Sequence, residues 1–207
     1  TQSIYGIWDK DNTAVVSSQL QQQVIDTATK ERGGTTYRVS SHRVGTPKDS
    51  AIASDLPTIT SSSYVATKRG WYIDLPTPGE RVVTDSAIRN GHVIFSSMIP
   101  DPAVCKAGGT GWVLEFDVFN GNRGDSVIYD TNDDGNIDDA DLLDSVITNG
   151  WATSGLPSDP AFLRLGSLGS SSSKDKACVN TSDGNVECED RQGATATTRR
   201  LMWRVIK

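Results

Sequence analysis

Twelve consecutive residues, Asp130-Thr131-Asn132-Asp133-Asp134-Gly135-Asn136-Ile137-Asp138-Asp139-Ala140-Asp141, space their oxygen-bearing side chains as a calcium loop does. Asp130, Asn132, Asp134, Asp138 and Asp141 occupy loop positions one, three, five, nine and twelve, and Asn136 at seven offers its backbone carbonyl. Gly135 stands at six, where the backbone must turn sharply, and Ile137 at eight is placed to plug the loop into a core. A hard cation takes roughly six to eight oxygens at about 2.3–2.6 Å, so this spacing predicts a Ca2+ site; the bland alternative is a solvated acidic turn. Position twelve is Asp rather than Glu, one methylene shorter, which predicts affinity on the weak, extracellular side of the calcium range.

The elements around the loop depart from a helix–loop–helix. Residues 126–129, Ser-Val-Ile-Tyr, have strand composition, and no helix pattern precedes them. Residues 140–147 place apolar side chains at i, i+3, i+4 spacing before Asn149-Gly150, which predicts one short helix. Elsewhere strand signals dominate. Trp112, Leu114, Phe116 and Val118 alternate with Val113, Glu115 and Asp117, as on a half-buried strand. Further strands are expected at 3–8, 37–40, 64–67, 70–75, 80–84, 91–98, 161–165 and 201–206, separated by turn sequences such as Pro76-Thr77-Pro78-Gly79 and Asp183-Gly184-Asn185. Residues 17–29 fit either a helix or a polar extended segment, and 166–174 read as a Gly/Ser-rich loop. The fold class is therefore all-β, a sandwich, barrel or propeller, in a single domain over 1–207. Gly-Trp recurs at 70–71, 111–112 and 150–151, a blade-like period.

Composition narrows the partners. The 207 residues carry a net charge of −6 with no extended Lys/Arg cluster, which argues against nucleic acid and anionic membrane surfaces. The longest apolar runs are too short to span a bilayer. No signal peptide begins at Thr1, as expected of a mature product or an excised piece of a longer chain. Of three cysteines, Cys178 and Cys188 enclose a hairpin-like segment and can form a local disulfide; two free thiols on adjacent strands are the alternative. Cys105 is the odd one, with a partner expected outside this chain. Ser/Thr/Gly/Asp richness with a calcium loop points to a secreted or surface location.

Three further features bear on activity. Arg123-Gly124-Asp125 precedes the calcium loop and matches an integrin-type recognition tripeptide, so a host-cell receptor is a candidate partner. The loop with Leu142-Leu143 resembles half a dockerin, but the sequence holds no second such loop. No Gly-x-Ser-x-Gly elbow or phosphate loop is present, and His42 and His92 lack metal-ligand spacing, so no enzyme is expected.

A set of segments in order along the chain resembles the C-terminal region of the PilY-type (PilC/PilY) type IV pilus tip and assembly proteins. They are Gln2-Ser3-Ile4-Tyr5-Gly6-Ile7-Trp8-Asp9, Gly70-Trp71-Tyr72-Ile73-Asp74-Leu75-Pro76, Gly79-Glu80-Arg81-Val82-Val83, and Phe95 through Ile99-Pro100. Cys105 with Gly108-Gly109-Thr110-Gly111-Trp112, Glu115-Phe116-Asp117, Gly155-Leu156-Pro157-Ser158-Asp159-Pro160-Ala161, and Arg199-Arg200-Leu201-Met202-Trp203-Arg204 complete the set. The resemblance implies a partial or modified β-propeller with a calcium loop on Asp130, Asn132, Asp134, Gly135, Asn136 and Asp138. It implies display on the cell surface, at the pilus tip or outer membrane, with pilins or minor pilins as partners. The expected roles are pilus extension, twitching motility and adhesion. At roughly 40–50 residues per blade the chain holds about four, so Thr1 is expected to begin in mid-propeller.

Overall fold

The computed structural model describes residues 2–7, 14–41, 68–103, 108–165 and 174–193. The strands expected at 64–67 and 201–206, with Trp8, His42 and Cys105, lie outside them. The described residues build twelve strands in three sheets. In the first, β5 (Gly70–Asp74) lies between β1 (Ser3–Ile7), antiparallel to it, and β2 (Gln21–Gln23), parallel to it. The second is six-stranded: β3 (Lys30–Arg32), β4 (Thr35–Arg38), β9 (Gly150–Thr153), β8 (Gly109–Asp117), β7 (His92–Pro100) and β6 (Ala87–Arg89), in that spatial order. The third is the antiparallel meander β10 (Ala161–Leu165), β11 (Lys174–Asn180) and β12 (Val186–Gln192). None of the three sheets closes on itself.

The period-2 alternation of β7 and β8 divides the core. Phe95, Trp112, Leu114 and Phe116 pack with Trp71, Ile73 and Leu75 on one side. Ile94 and Val113 pack with Tyr37, Ile128, Tyr129, Leu143, Trp151 and Val179 on the other. The strand at 112–118 is therefore not half-buried, because the third sheet and the segment leading to the acidic loop cover its second face. Glu115, on that face, is fully buried and neutralised there.

Trp71 shows why glycine accompanies tryptophan. A Cβ at Gly6 would lie 2.3 Å from its indole and one at Gly121 2.4 Å, so the ring slots against bare backbone of β1 and of the turn that follows β8, with Nε1 donating to the Val118 carbonyl at 3.1 Å. The three Gly-Trp pairs do not mark successive blades. Two of them stand on β8 and β9, neighbours in one sheet, where Val113 faces Trp151 and Leu114 faces Gly150.

Three local expectations are corrected. Residues 140–147 are not a helix: a single 3₁₀ turn, Asp139–Asp141, is followed by a tight hairpin in which Leu143 and Val146 exchange backbone hydrogen bonds. Asp144 and Ser145 both take positive φ, 51° and 64°, the geometry of a two-residue turn and not of a helix interior. Residues 126–129 pair with β12 through one bridge, Tyr129 to Arg191, instead of forming a full strand. In 80–84 only Arg81 bridges, to Met98.

Candidate metal centre

The acidic loop hangs between two sheets. At its entrance the Asp130 N–H donates to the Asp190 carbonyl of β12 at 3.0 Å. Arg32 of β3 clamps the loop's two ends together, donating to Thr131 Oγ1 near the entrance at 3.1 Å and to the Ala140 and Leu142 carbonyls at the exit at 2.7 and 3.3 Å. Leu143 then anchors the chain in the core.

Within the loop, local hydrogen bonds set the shape. Asp133 and Gly135 take positive φ, 57° and 85°, and at Gly135 this reverses the chain so that its N–H reaches Asp130 Oδ2 at 2.9 Å. Asn132 Oδ1 accepts from Asp134 N at 2.9 Å, Asp134 Oδ1 from Asn136 N at 2.7 Å, and Asp138 Oδ1 from Ala140 N at 2.8 Å. Asp141, 1% exposed, ties the ends together: Oδ1 accepts from Thr131 N and Asn132 N at 2.8 and 3.2 Å, and Oδ2 from Asp138 N at 3.0 Å. Ile137 is half-buried and joins neither core cluster.

The electrostatics at Asp130 test whether a cation fits. Asp130 is 2% exposed, and its Oδ1 is buried with no hydrogen-bond partner. Burial, then the nearby Asp141 carboxylate, push its pKa above the usual range. Lys174 Nζ, from the start of β11, stands 3.7 Å from Oδ2, too far for a hydrogen bond. Asp134 by contrast is exposed, and the Asn136 N–H holds its carboxyl below the usual range. Among the described residues no three His, Cys, Asp or Glu side chains converge into a ready-made cage. An oxygen that accepts one backbone N–H keeps a second lone pair for ligation; Asp141 Oδ1, which accepts two, does not, so Asp141 has only Oδ2 to offer. Asp130, Asn132, Asp134, the Asn136 carbonyl, Asp138 and Asp141 thus make an all-oxygen donor set with one buried carboxylate oxygen left unmatched, which suits a hard divalent cation.

The neighbouring tripeptide is not arranged as a receptor ligand. Arg123 is 1% exposed, its guanidinium donating to the Ser40 carbonyl at 2.6 Å, so an incoming receptor cannot reach it. Gly124 is buried as well, and of the three only Asp125 is exposed. Cys178 and Cys188 are disulfide-bonded, directly opposite each other on β11 and β12 with Cα atoms 4.1 Å apart.

Sequence reasoning missed the partners that come from afar. His92 does not stand alone: its Nδ1 lies 2.8 Å from Glu115 Oε1, and Glu115 also takes a bidentate contact from Arg191. Arg32 and Lys174 converge on the loop from β3 and β11, and nothing in their own surroundings in the sequence signals it.

No protein-family model matches the chain. It is 29% identical over 168 residues, 78% of its length, to a protein of Xylella fastidiosa (strain Temecula1) described as a type IV pilus biogenesis factor PilY1 homolog. It is 29% identical over 126 residues to a second protein so described from the same strain. The chain spans 12% and 7% of the length of these relatives. Its fold matches the crystal structure of the Pseudomonas aeruginosa PilY1 C-terminal domain with a TM-score of 0.59, over 92% of this chain and 37% of that one, at 18% identity. Among the described residues no helix is long and apolar enough to cross a membrane. A likeness of sequence and a likeness of fold thus converge on the C-terminal region of the PilY-type family.

Proposed function

We propose that this chain is a calcium-binding, non-enzymatic module of a type IV pilus biogenesis protein, supporting pilus extension, twitching motility and surface adhesion. The observation that carries the calcium part is the buried, unpartnered Oδ1 of Asp130 inside a loop with calcium-type spacing. The pilus part is supported by the likeness to two proteins described as type IV pilus biogenesis factor PilY1 homologs. Calcium supplies the positive charge that the loop's carboxylates lack. The chain's own residues do the rest: Asp190 and Arg32 hold the loop to two different sheets, so tightening it braces one sheet against the other. The same reading includes a partial or modified propeller, display at the cell surface or pilus tip, and pilins or minor pilins as partners. Adhesion through Arg123-Gly124-Asp125 forms no part of it, given the burial of Arg123.

The test is a calorimetric titration of calcium into the chelator-stripped chain and an Asp134→Ala variant. One saturable site, lost in the variant, is expected; no heat of binding in the parent chain overturns the calcium reading. In the longer natural protein, Asp134→Ala is expected to reduce pilus number and twitching, and unchanged motility counts against the role in extension.

A further inference from the structure

Among the described residues β1 is an edge strand with one side open. The Leu75 N–H donates to the Gln2 carbonyl at 2.9 Å, so in the antiparallel register Ile4 and Gly6 turn their backbone groups to β5. The N–H and C=O groups of Ser3, Tyr5 and Ile7 therefore point the other way, where no described strand lies. Tyr5 and Ile7 are also exposed, at 57% and 55%. Alongside runs a groove of about 550 Å³, walled by β1 and residues 82–86, with Trp71, Val93 and Phe95 also lining it. Gln2 Oε1 accepts from Val82 N at 2.6 Å and joins the two walls at one end. An open edge beside apolar side chains recruits an extended segment: backbone hydrogen bonds supply affinity, and alternate side chains fill the groove.

The chain itself carries a segment of matching chemistry. Leu201-Met202-Trp203-Arg204-Val205-Ile206 has strand composition, and Leu201, Trp203 and Val205 fall on one side of its alternation. The segment starts within reach. β12 ends at Gln192, and the Gly193 carbonyl accepts from Asn90 Nδ2 at 3.4 Å. Beside Asn90, the Gly91 carbonyl accepts from Val118 N at 2.9 Å, and Val118 lines the groove. Residues 194–200 can span up to roughly 23 Å, several strand spacings of about 4.8 Å. Charge agrees as well. Residues 194–207 hold Arg199, Arg200, Arg204 and Lys207 and no acid, in a chain whose net charge is −6. The groove presents Asp85, whose N–H donates to Asp159 Oδ1 at 3.0 Å. Both residues are exposed, and neither carboxylate forms an ion pair among the described residues.

We propose that residues 201–206 add to the open side of β1 as a further strand, Leu201, Trp203 and Val205 filling the groove. Arg199 and Arg200 are drawn to Asp85 and Asp159. The pairing ties the segment after the third sheet to the first sheet and covers an edge that is otherwise a template for association with another chain. It rests on neither the calcium reading nor the pilus reading.

Amide hydrogen exchange followed by NMR on the purified chain tests it. The Tyr5 and Ile7 N–H groups should exchange about tenfold more slowly in the parent than in Trp203→Asp, with the β8 amides unchanged. A synthetic peptide of residues 198–207, added to Trp203→Asp, should restore the slow exchange. The double variant Arg199→Glu/Arg200→Glu should speed exchange at Tyr5 and Ile7 roughly threefold at low salt, and it decides the matter if Trp203→Asp does not fold. Equal exchange at Tyr5 and Ile7 in the parent and these variants overturns the proposal. So does protection that survives in the variants and rises with protein concentration, the mark of a second copy on the edge.

Discussion

Two acidic regions of this molecule, one in the core and one in the loop, handle the same charge in opposite ways. In the core, Glu115 is 0% exposed, and the fold brings it Arg191, itself 0% exposed, and His92. Burial alone would push Glu115 up, but hydrogen bonds from His92 and Arg191 hold its pKa below the usual carboxylate range. Glu80 repeats the pattern, with burial outweighed by Arg38, Ser97 and Thr77. In the loop, Asp130 is nearly as buried, receives one backbone N–H and a distant lysine, and has its pKa raised. The core carboxylates are finished by residues of the chain, whereas the loop carboxylates are organised by backbone and left short of positive charge. That asymmetry is what a ligand site requires.

Removing the core cation should produce the largest effect. Arg191→Met strips Glu115 of its bidentate partner and leaves Asp175, whose Oδ2 lies 3.6 Å from Arg191, dependent on Arg89. A loss of about 3–5 kcal/mol in urea unfolding is expected, as for other broken buried pairs. A loss below about 1 kcal/mol would show that His92 alone satisfies Glu115, and the contrast with the loop would shrink.

Adding the missing charge to the loop should act in the opposite sense and somewhat less. Calcium at a hundred times its dissociation constant is expected to stabilise the chain by about 2.7 kcal/mol, a rise of roughly 5–10 °C in Tm. Asp130→Asn should abolish this gain while making the calcium-free protein no less stable, since it removes a buried carboxylate and preserves the acceptor for Gly135 N. A calcium-free variant clearly weaker than the parent would mean that the Asp130 charge is already compensated.

Much of the loop was legible in the sequence because its contacts are short-range. The Asp130–Gly135 bond, the Asx turns at Asn132 and Asp134, and the reciprocal bonds of Asp138 and Asp141 all close within the twelve residues, so residue type and spacing suffice to specify them. The Cys178–Cys188 bond follows from a hairpin register of the same kind. The helix expected at 140–147 failed because Leu142, Leu143, Val146 and Ile147 suit a hairpin as well as a helical stripe, and Asp144-Ser145 can adopt positive φ. Long-range features left no trace in the sequence. Nothing near Arg123 says that the Ser40 carbonyl will bury it, and nothing near Glu115 announces Arg191, 76 residues on. The polar β2, Gln21–Gln23, is a strand only because β5 offers it a parallel edge.

Lys174 offers a finer adjustment of the loop. Its ammonium, 28% exposed and 3.7 Å from Asp130 Oδ2, opposes an incoming cation. Lys174→Met should tighten calcium binding by about 1 kcal/mol, roughly fivefold in Kd, read by the same calorimetric titration. Unchanged affinity would mean that the lysine swings clear when the ion arrives.

The smallest effect is expected at Glu189, on β12 between the two regions. It lies two residues from Arg191 in sequence, yet its carboxylate contact is the Tyr37 hydroxyl, 3.3 Å from Oε1. Burial raises its pKa from 4.5 to about 7, the Tyr37 hydrogen bond opposes this, and repulsion from Asp133 of the loop and from Asp190 adds to it. Because the folded value exceeds the unfolded one, the contribution of Glu189 is intact below about pH 4.5 and declines as pH rises through about 7. Glu189→Gln keeps an acceptor for Tyr37 and cannot ionise. In calcium-free buffer the variant and parent should be equally stable near pH 4.5, with the variant ahead by less than about 1 kcal/mol at pH 8 once partial exposure is allowed for. A gap that stays flat across this range would mean that a cation already reaches Glu189, and the boundary between the compensated core and the uncompensated loop would have to be drawn on the loop side of β12.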